Sequence, residues 1–360
     1  MAYAYEIIAE EMLNKIISGE WQSGDRLPTL NDLEKQYPQS RMTLYKAMQL
    51  LKDRGYINMS RGRGTFVKSS ARHQRVAILT SSTWSDESLA PFSKLAFRHA
   101  QAYFARLGLA SQLYVDDALN DFRIPASFKF ELERRRLNGL LTVDATFPAR
   151  FDQQEEWEKM PIPYVNIGAW HAPYTFYVDH KAFLVMAAEM ARKIGKKRVA
   201  LVERAEHLSL DFDLFCGQCD KQGLEYCPIP SPIPPPTLSY EEYGYELLQR
   251  FWRQPRTPQV VIVPDDVIAK GVTIAALALR IEIPHDLTII AMTNRGGNIF
   301  YPVPVVRCEV DVESIAIRGA RMLVDLMNGV KAPPQKTFFP PVRPTYQGAI
   351  NSEEPAPDHP

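Results

Sequence analysis

From Arg75 onward, short apolar runs rich in β-formers alternate with stretches of ten or more residues that carry helical periodicity, and that alternation admits few folds. Repeated strand-helix-strand units build a parallel sheet with helices on its faces, so this part of the chain is expected to be doubly wound α/β. The expected strands are Val76 to Thr80, Ser111 to Val115, Gly139 to Val143, Tyr164 to Ile167, Arg198 to Val202, Val260 to Val263 and Leu287 to Met292. Helices are expected over Leu89 to Leu107, His180 to Ile194, Ser239 to Trp252, Val267 to Leu279 and Val312 to Met327. Cys227 to Pro236 holds six prolines in ten residues and reads as a stiff connector, the alternative being a ligand for a proline-binding module.

The first 68 residues follow a different pattern. Ile8, Met12 and Ile16 recur at helical spacing and Gly19 follows as a stop. A loop with Gly24 and Pro28 leads to a short second helix, Leu30 to Tyr37, which Pro38 ends. Ser40 is placed to cap a third helix that runs to Arg54, with Gly55 closing it. Two period-two runs, Tyr56 to Ser60 and Thr65 to Lys68, then flank Arg61-Gly62-Arg63-Gly64 as in a hairpin. Three helices and a hairpin make a winged helix-turn-helix over residues 1–68, followed by a polar linker at 69–75, a larger domain at 76–350 and a frayed tail at 351–360.

Charge separates these parts. The chain is neutral overall, with 42 basic and 42 acidic residues, yet residues 39–75 hold nine basic side chains against Asp53 alone, a net +8. A cationic face of that density suits a polyanion, although charge alone is equally compatible with a solvated surface. At 360 residues and 46% hydrophobic content the chain has ample core for two or three domains, which excludes a disulfide-stapled miniature. Its apolar runs, such as Phe183 to Ala188, fall far short of a bilayer span, and the N-terminus lacks the pattern of an export signal. The expected compartment is the cytoplasm, with Cys216, Cys219, Cys227 and Cys308 as reduced thiols.

Leu27-Pro28-Thr29 with Leu33 and Tyr37, then Ser40-Arg41-Met42-Thr43-Leu44-Tyr45-Lys46-Ala47, Gly55-Tyr56-Ile57 and Gly62-Arg63-Gly64-Thr65-Phe66-Val67 form successive blocks. In these blocks the first 65 or so residues resemble the winged-helix domain of the GntR family of bacterial transcription regulators. The resemblance implies operator DNA as partner, with Thr29, Asn31, Ser40, Arg41, Thr43, Tyr45, Lys46, Arg61, Gly62, Arg63 and Gly64 as contacts. Physical reasoning agrees, since a capped helix start with Arg41 can meet phosphates and fork onto guanine O6 and N7. Asn31 and Tyr45 stand where the family often has arginine, which removes guanine-reading forks and alters the expected operator. A protein-docking winged helix is the rival reading.

The larger domain resembles the effector domain of LacI-type repressors, which has the two-lobed fold of periplasmic sugar-binding proteins. Asn138-Gly139-Leu140-Leu141, Ile162-Pro163-Tyr164-Val165, Tyr177-Val178-Asp179, Gly195 to Ala200, Val263 to Gly271 and Ile283 to Ile290 carry the likeness. It implies a homodimer and a small-molecule effector, a carbohydrate or derivative, at the carboxyl ends of the strands. Trp84, Asp144, Trp170, Asp265, Thr293 and Asn294 are the candidate effector contacts. Asp265 is expected to face the ligand and Asp266 to cap the following helix. Leu214 and Thr293 replace an Arg and an Asp that the family offers to sugar hydroxyls, and Gly168 lies near a further lost Asp, so the effector is expected to differ from the usual sugars.

Other chemistry lacks residues to carry it. Cys216-x-x-Cys219 has no second pair at zinc spacing, and no Walker loop, nucleophile elbow or His-Glu-x-x-His occurs. No catalytic residue, metal or cofactor is expected. The sequence therefore points to a ligand-responsive DNA-binding regulator, more readily a repressor than an activator. A solute-binding protein with an N-terminal assembly module and an enzyme on a doubly wound sheet are the competing readings.

Overall fold

The computed structural model describes residues 3–17, 20–60, 62–68, 74–80, 91–115, 125–143, 160–168, 172–202, 210–228, 238–253 and 256–346. These fall into two compact units, one formed in the main by residues up to Tyr177 with Glu313–Thr337, the other by Val178–Val312 with the segment from Phe338. The linker residues 69–73, most of the proline-rich connector and the tail at 351–360 lie outside the described residues.

The first unit opens with three helices, α1 (Ala4–Ile17), α2 (Leu30–Gln36) and α3 (Arg41–Asp53), and a hairpin of β1 (Ile57–Ser60) and β2 (Gly64–Val67). Ile8, Met12 and Ile16 of α1 are buried with Leu33, Leu44, Met48 and Leu51, so the periodic apolar positions do form one core. Thr29 closes a capping box with Asp32 at the start of α2, and the Ser40 side chain accepts from the Thr43 amide to start α3. Gly62 and Gly64 turn the hairpin at φ of +79° and +109°, a region in which a side chain is strained.

The same unit continues through β3 (Arg75–Thr80), α4 (Pro91–Arg106), β4 (Ala110–Val115), α5 (Ala126–Glu133), β5 (Gly139–Val143), β6 (Tyr164–Ile167) and β7 (Tyr174–Val178). The second unit contains α6 (His180–Lys193), β8 (Arg198–Leu201), α7 (Leu210–Gln222), β9 (Glu225–Tyr226), α8 (Tyr240–Phe251), β10 (Val260–Val263), α9 (Asp266–Ala278), β11 (Thr288–Asn294) and β12 (Val306–Val310). Then α10 (Val312–Met327), β13 (Gln335–Phe339) and β14 (Val342–Tyr346) end the described chain. The two sheets run β13-β7-β6-β5-β3-β4 and β14-β12-β11-β10-β8-β9. In both, the order reverses beside the first parallel strand, β3 or β8, which defines a switch point at the strands' carboxyl ends.

Each sheet is parallel through its centre, as the alternation predicts, but β14 joins β12 antiparallel. The short α5 and the strands β7, β9, β12, β13 and β14 are findings beyond the expected list. β9 spans two residues, and β13 and β14 lie at sheet ends, where no apolar run marks them. β12 could have been recognised, because Val306, Cys308 and Val310 are buried while Arg307 and Glu309 alternate with them.

In the second unit α8 and α9 cross where glycine removes side-chain bulk. A Cβ on Gly271 would lie 1.9 Å from the Glu241 carbonyl oxygen, and one on Gly244 would lie 2.2 Å from that of Ile268. Gly271→Ala is therefore expected to lower the unfolding free energy by about 2 kcal/mol through forced helix separation. Gly217→Ala, with nothing within 4 Å of its Cβ position, should not destabilise. Equal urea midpoints for the two variants would contradict this packing.

Candidate nucleic-acid interface and effector site

The side chains predicted to read DNA gather at the start of α3 and on the hairpin. Arg41, Met42, Tyr45 and Lys46 are exposed, Tyr45 at 44%, while Leu44, Ala47 and Met48 on the other side of the helix are buried. Arg41 is the first residue of α3 and points back to α2: its Nη1 donates to Asn31 Oδ1 at 2.6 Å and to Glu34 Oε2 at 3.0 Å. Thr43 and Ser40 hydroxyls lie 2.9 Å apart, and the Thr29 hydroxyl is committed to Asp32. Gly62 and Arg63 are exposed at the hairpin tip, whereas Arg61 lies outside the described residues. Sequence reasoning missed Glu34, although its place three residues after Asn31 puts both on one face of α2.

The rest of this head is held against the lobe that follows it. Arg321 of α10 donates from Nη1 and Nη2 to the two carboxylate oxygens of Glu10 on α1, at 2.7 and 2.6 Å. One turn on, Asp325 accepts from the Tyr56 hydroxyl at 3.2 Å. Burial raises the Asp325 carboxyl above the usual range, with the Arg54 charge opposing that shift, and burial likewise raises the Tyr56 and Tyr103 phenols. Gly55, at φ +77°, sits close enough to Asn328 that a Cβ would lie 2.8 Å from its side chain. The helix that supplies these partners packs on the first sheet: a Cβ on Gly319 would lie 2.9 Å from Ile167, and Leu323 and Val324 are buried.

Of the candidate effector residues, Trp84, Asp144 and Trp170 lie outside the described residues. Asp265, Thr293 and Asn294 stand together at the carboxyl ends of β10 and β11, joined by Asp266. The cap falls on Asp265 and not, as expected, on Asp266. Asp265 is the cap, its Oδ1 accepting from the Val267 and Ile268 amides at 2.9 Å each. Asp266, only 5% exposed, accepts from Asn294 Nδ2 at 2.7 Å through its side chain and from the Tyr301 hydroxyl at 3.1 Å through its carbonyl. The helix starts one residue earlier than periodicity suggests, because the chain is still extended at Asp265 and already helical at Asp266. Burial and then the Asp265 charge push the Asp266 carboxyl up to about 7.

Beside this pair the Thr293 hydroxyl is buried with no hydrogen-bond partner among the described residues. A buried hydroxyl in that state retains an unmet hydrogen-bonding capacity that a polar ligand can satisfy. Leu214 of α7 is half-buried. Among the described residues no group of three or more His, Cys, Asp or Glu side chains could hold a metal ion, and no helix is long and apolar enough to cross a membrane. Cys219 is buried on α7, its thiol pushed up to about 12 by burial.

Comparison with known proteins agrees with these two parts. Residues 4–67 match the bacterial regulatory proteins of the gntR family, and residues 181–348 match the periplasmic binding protein-like domain. The chain is 27% identical over 210 residues to the HTH-type transcriptional regulator AglR of Rhizobium meliloti, covering 54% of this chain and 57% of AglR. It is 21% identical over 253 residues to the HTH-type transcriptional repressor PurR of Escherichia coli, covering 67% of this chain and 74% of PurR. A periplasmic binding protein/LacI transcriptional regulator from Alkaliphilus metalliredigens, solved with D-xylulofuranose, superposes with a TM-score of 0.58 at 15% identity over 76% of this chain and 97% of that one. That last likeness establishes the two-lobed fold. The chain thus joins a head that matches the gntR-family model to a domain that matches the periplasmic binding protein-like model and shares the fold of LacI-family regulators.

The Asp265-Asp266 pair makes a pH prediction. Asp266 binds its proton more tightly in the folded state, at about 7, than in the unfolded chain, at about 3.9. Its contribution to stability is therefore complete below about pH 4 and is lost as pH rises through about 7. Asp266→Asn has no proton to lose, so the fall in stability from pH 5 to pH 8 should be smaller than in wild type. Asp265→Ala should cost about 1 kcal/mol as the loss of a cap and, by removing the neighbouring charge, should shrink the pH dependence without abolishing it, since burial is the larger cause. Parallel stability-pH curves for wild type and Asp266→Asn would contradict the assignment.

Proposed function

We propose that this chain is a cytoplasmic, homodimeric, ligand-responsive repressor that acts by binding rather than catalysis. Its partners are operator DNA and a carbohydrate or carbohydrate derivative. The observation that carries this reading is the exposed edge of α3, with Arg41, Tyr45 and Lys46, on a head whose Glu10 and Tyr56 are held by one helix of the next lobe. Residues 1–68 are assigned to DNA, 69–75 to the linker and 76–350 to effector binding and dimerisation. Thr29, Asn31, Ser40, Arg41, Thr43, Tyr45 and Lys46 with Arg61, Gly62, Arg63 and Gly64 on the wing form the DNA set. A homodimer follows from the need to match two half-sites, since one winged helix alone binds weakly.

The effector reading rests on Asp265, Thr293 and Asn294 at the strand ends, with Trp84, Asp144 and Trp170 proposed to complete the site. It is supported by the regulator solved with D-xylulofuranose, and the repressor assignment by PurR. A path for the response lies along the chain itself. Asn294 pairs with Val310 across β11 and β12, α10 begins at Val312, and the same helix carries Arg321 and Asp325 to the head. A ligand can shift DNA affinity only by its differential affinity for two states, typically 1–3 kcal/mol.

Gel shifts of the full chain with genomic fragments test the DNA assignment. On a duplex recovered that way, Arg41→Ala should cost about 1–3 kcal/mol and relax base preference. Lys46→Ala should weaken all sequences alike and reduce the salt slope by about 1. Unchanged affinity and preference for Arg41→Ala would overturn the assignment. For the effector, a carbohydrate panel is screened by thermal shift. Thr293→Val should leave the unliganded protein as stable or more so and weaken the bound sugar about tenfold, as loss of one hydrogen bond. An undiminished shift would place the sugar elsewhere.

A further inference from the structure

The contact between Arg41 and Glu34 has a consequence for how the head chooses DNA. Arg41 uses a single nitrogen, Nη1, for both Asn31 and Glu34, and its Nη2 and Nε have no partner among the described residues. Those two atoms form the edge of the guanidinium that presents parallel N–H groups, the geometry that guanine O6 and N7 accept. The two α2 side chains therefore fix the guanidinium by one corner and leave the reading edge open. Glu34 also places a carboxylate 3.0 Å from the guanidinium, on a side chain 34% exposed. A negative charge there opposes phosphate contact at every sequence and leaves a hydrogen-bonded base edge, which carries no net charge, far less affected.

We propose that Glu34 is a positioning residue for specificity: it holds Arg41 as a guanine reader and suppresses its use as a general phosphate contact. This rests on the DNA-reading role of Arg41 and adds a discriminating element that opposes the wrong mode of binding. Neighbouring acids do not share the task. Asp32 is engaged by the Thr29 amide and hydroxyl at the cap, which also means that α2 keeps its start when Glu34 is changed.

The test uses the full chain, a duplex selected by wild type from a random library, and a scrambled duplex of the same length. Glu34→Gln should bind the scrambled duplex several-fold more tightly, with a salt slope steeper by roughly 0.9, the value for one further phosphate neutralised. Its preference for selected over scrambled DNA should fall about tenfold, within the range of one bidentate base contact. In an Arg41→Ala background the same substitution should leave the preference where Arg41→Ala alone puts it. Glu34→Asp should recover part of the preference, which a merely structural role would not require. Equal gains on both duplexes would show a general charge effect and overturn the proposal, as would no change on either. If Arg41→Ala retains the full preference, the DNA-reading assignment fails together with it; if Arg41→Ala loses the preference and Glu34→Gln keeps it, only the role of Glu34 fails. Thermal unfolding of each variant confirms that the head remains folded.

Discussion

The bidentate pair between Glu10 and Arg321 ties the reading head to the rest of the protein, and the functional account depends on it. Both side chains keep some contact with solvent, so the pair is a modest source of stability. Its value lies in direction. A planar guanidinium facing a carboxylate at 2.6 and 2.7 Å permits one mutual orientation. The Tyr56 hydroxyl on Asp325, one turn further along α10, adds a second point of attachment. The head folds on its own apolar core of α1, α3 and the hairpin, and these polar contacts decide where that folded head stands on its lobe.

That division explains the arrangement of charge. The exposed edge of α3 carries Arg41 and Lys46, while Arg321 is paired with Glu10 and the Arg54 charge acts to lower the pKa of the part-buried Asp325. A net +8 over residues 39–75 thus combines residues available to DNA with residues used for structure. Glu34 is the reverse case, an acid within the reading edge itself. Its presence turns one cation of that edge from a general attractor into an oriented donor.

Much of this was legible in the sequence, and the reasons are physical. Ile8, Met12 and Ile16 announced α1, Ser40 announced the start of α3, and Gly62 and Gly64 announced the hairpin, because period, cap and positive φ are local requirements. The apolar runs at 139–143, 164–167 and 260–263 became central strands with the expected limits. What the sequence concealed depends on contacts across long separations. Nothing near Glu10 indicates Arg321, which lies 311 residues away, and nothing near Tyr56 indicates Asp325. The expected cap at Asp266 failed for a narrower reason. Either residue can cap a helix, and only the backbone at Asp265, extended at φ −151°, decides between them. Three of the six effector candidates, Trp84, Asp144 and Trp170, fall outside the described residues, so the sequence remains the basis for placing them.

Hydrogen exchange of the full chain, wild type against Arg321→Met, tests the central claim most directly. If the head is docked through α10, the substitution should raise exchange at the α1 and β1 amides near Glu10 and Tyr56 and along the Arg321–Asp325 turn. Strands β10 and β11 should keep their protection. A head whose amides exchange equally in both proteins, with α10 unchanged, would contradict the docking and the path to the effector site built on it.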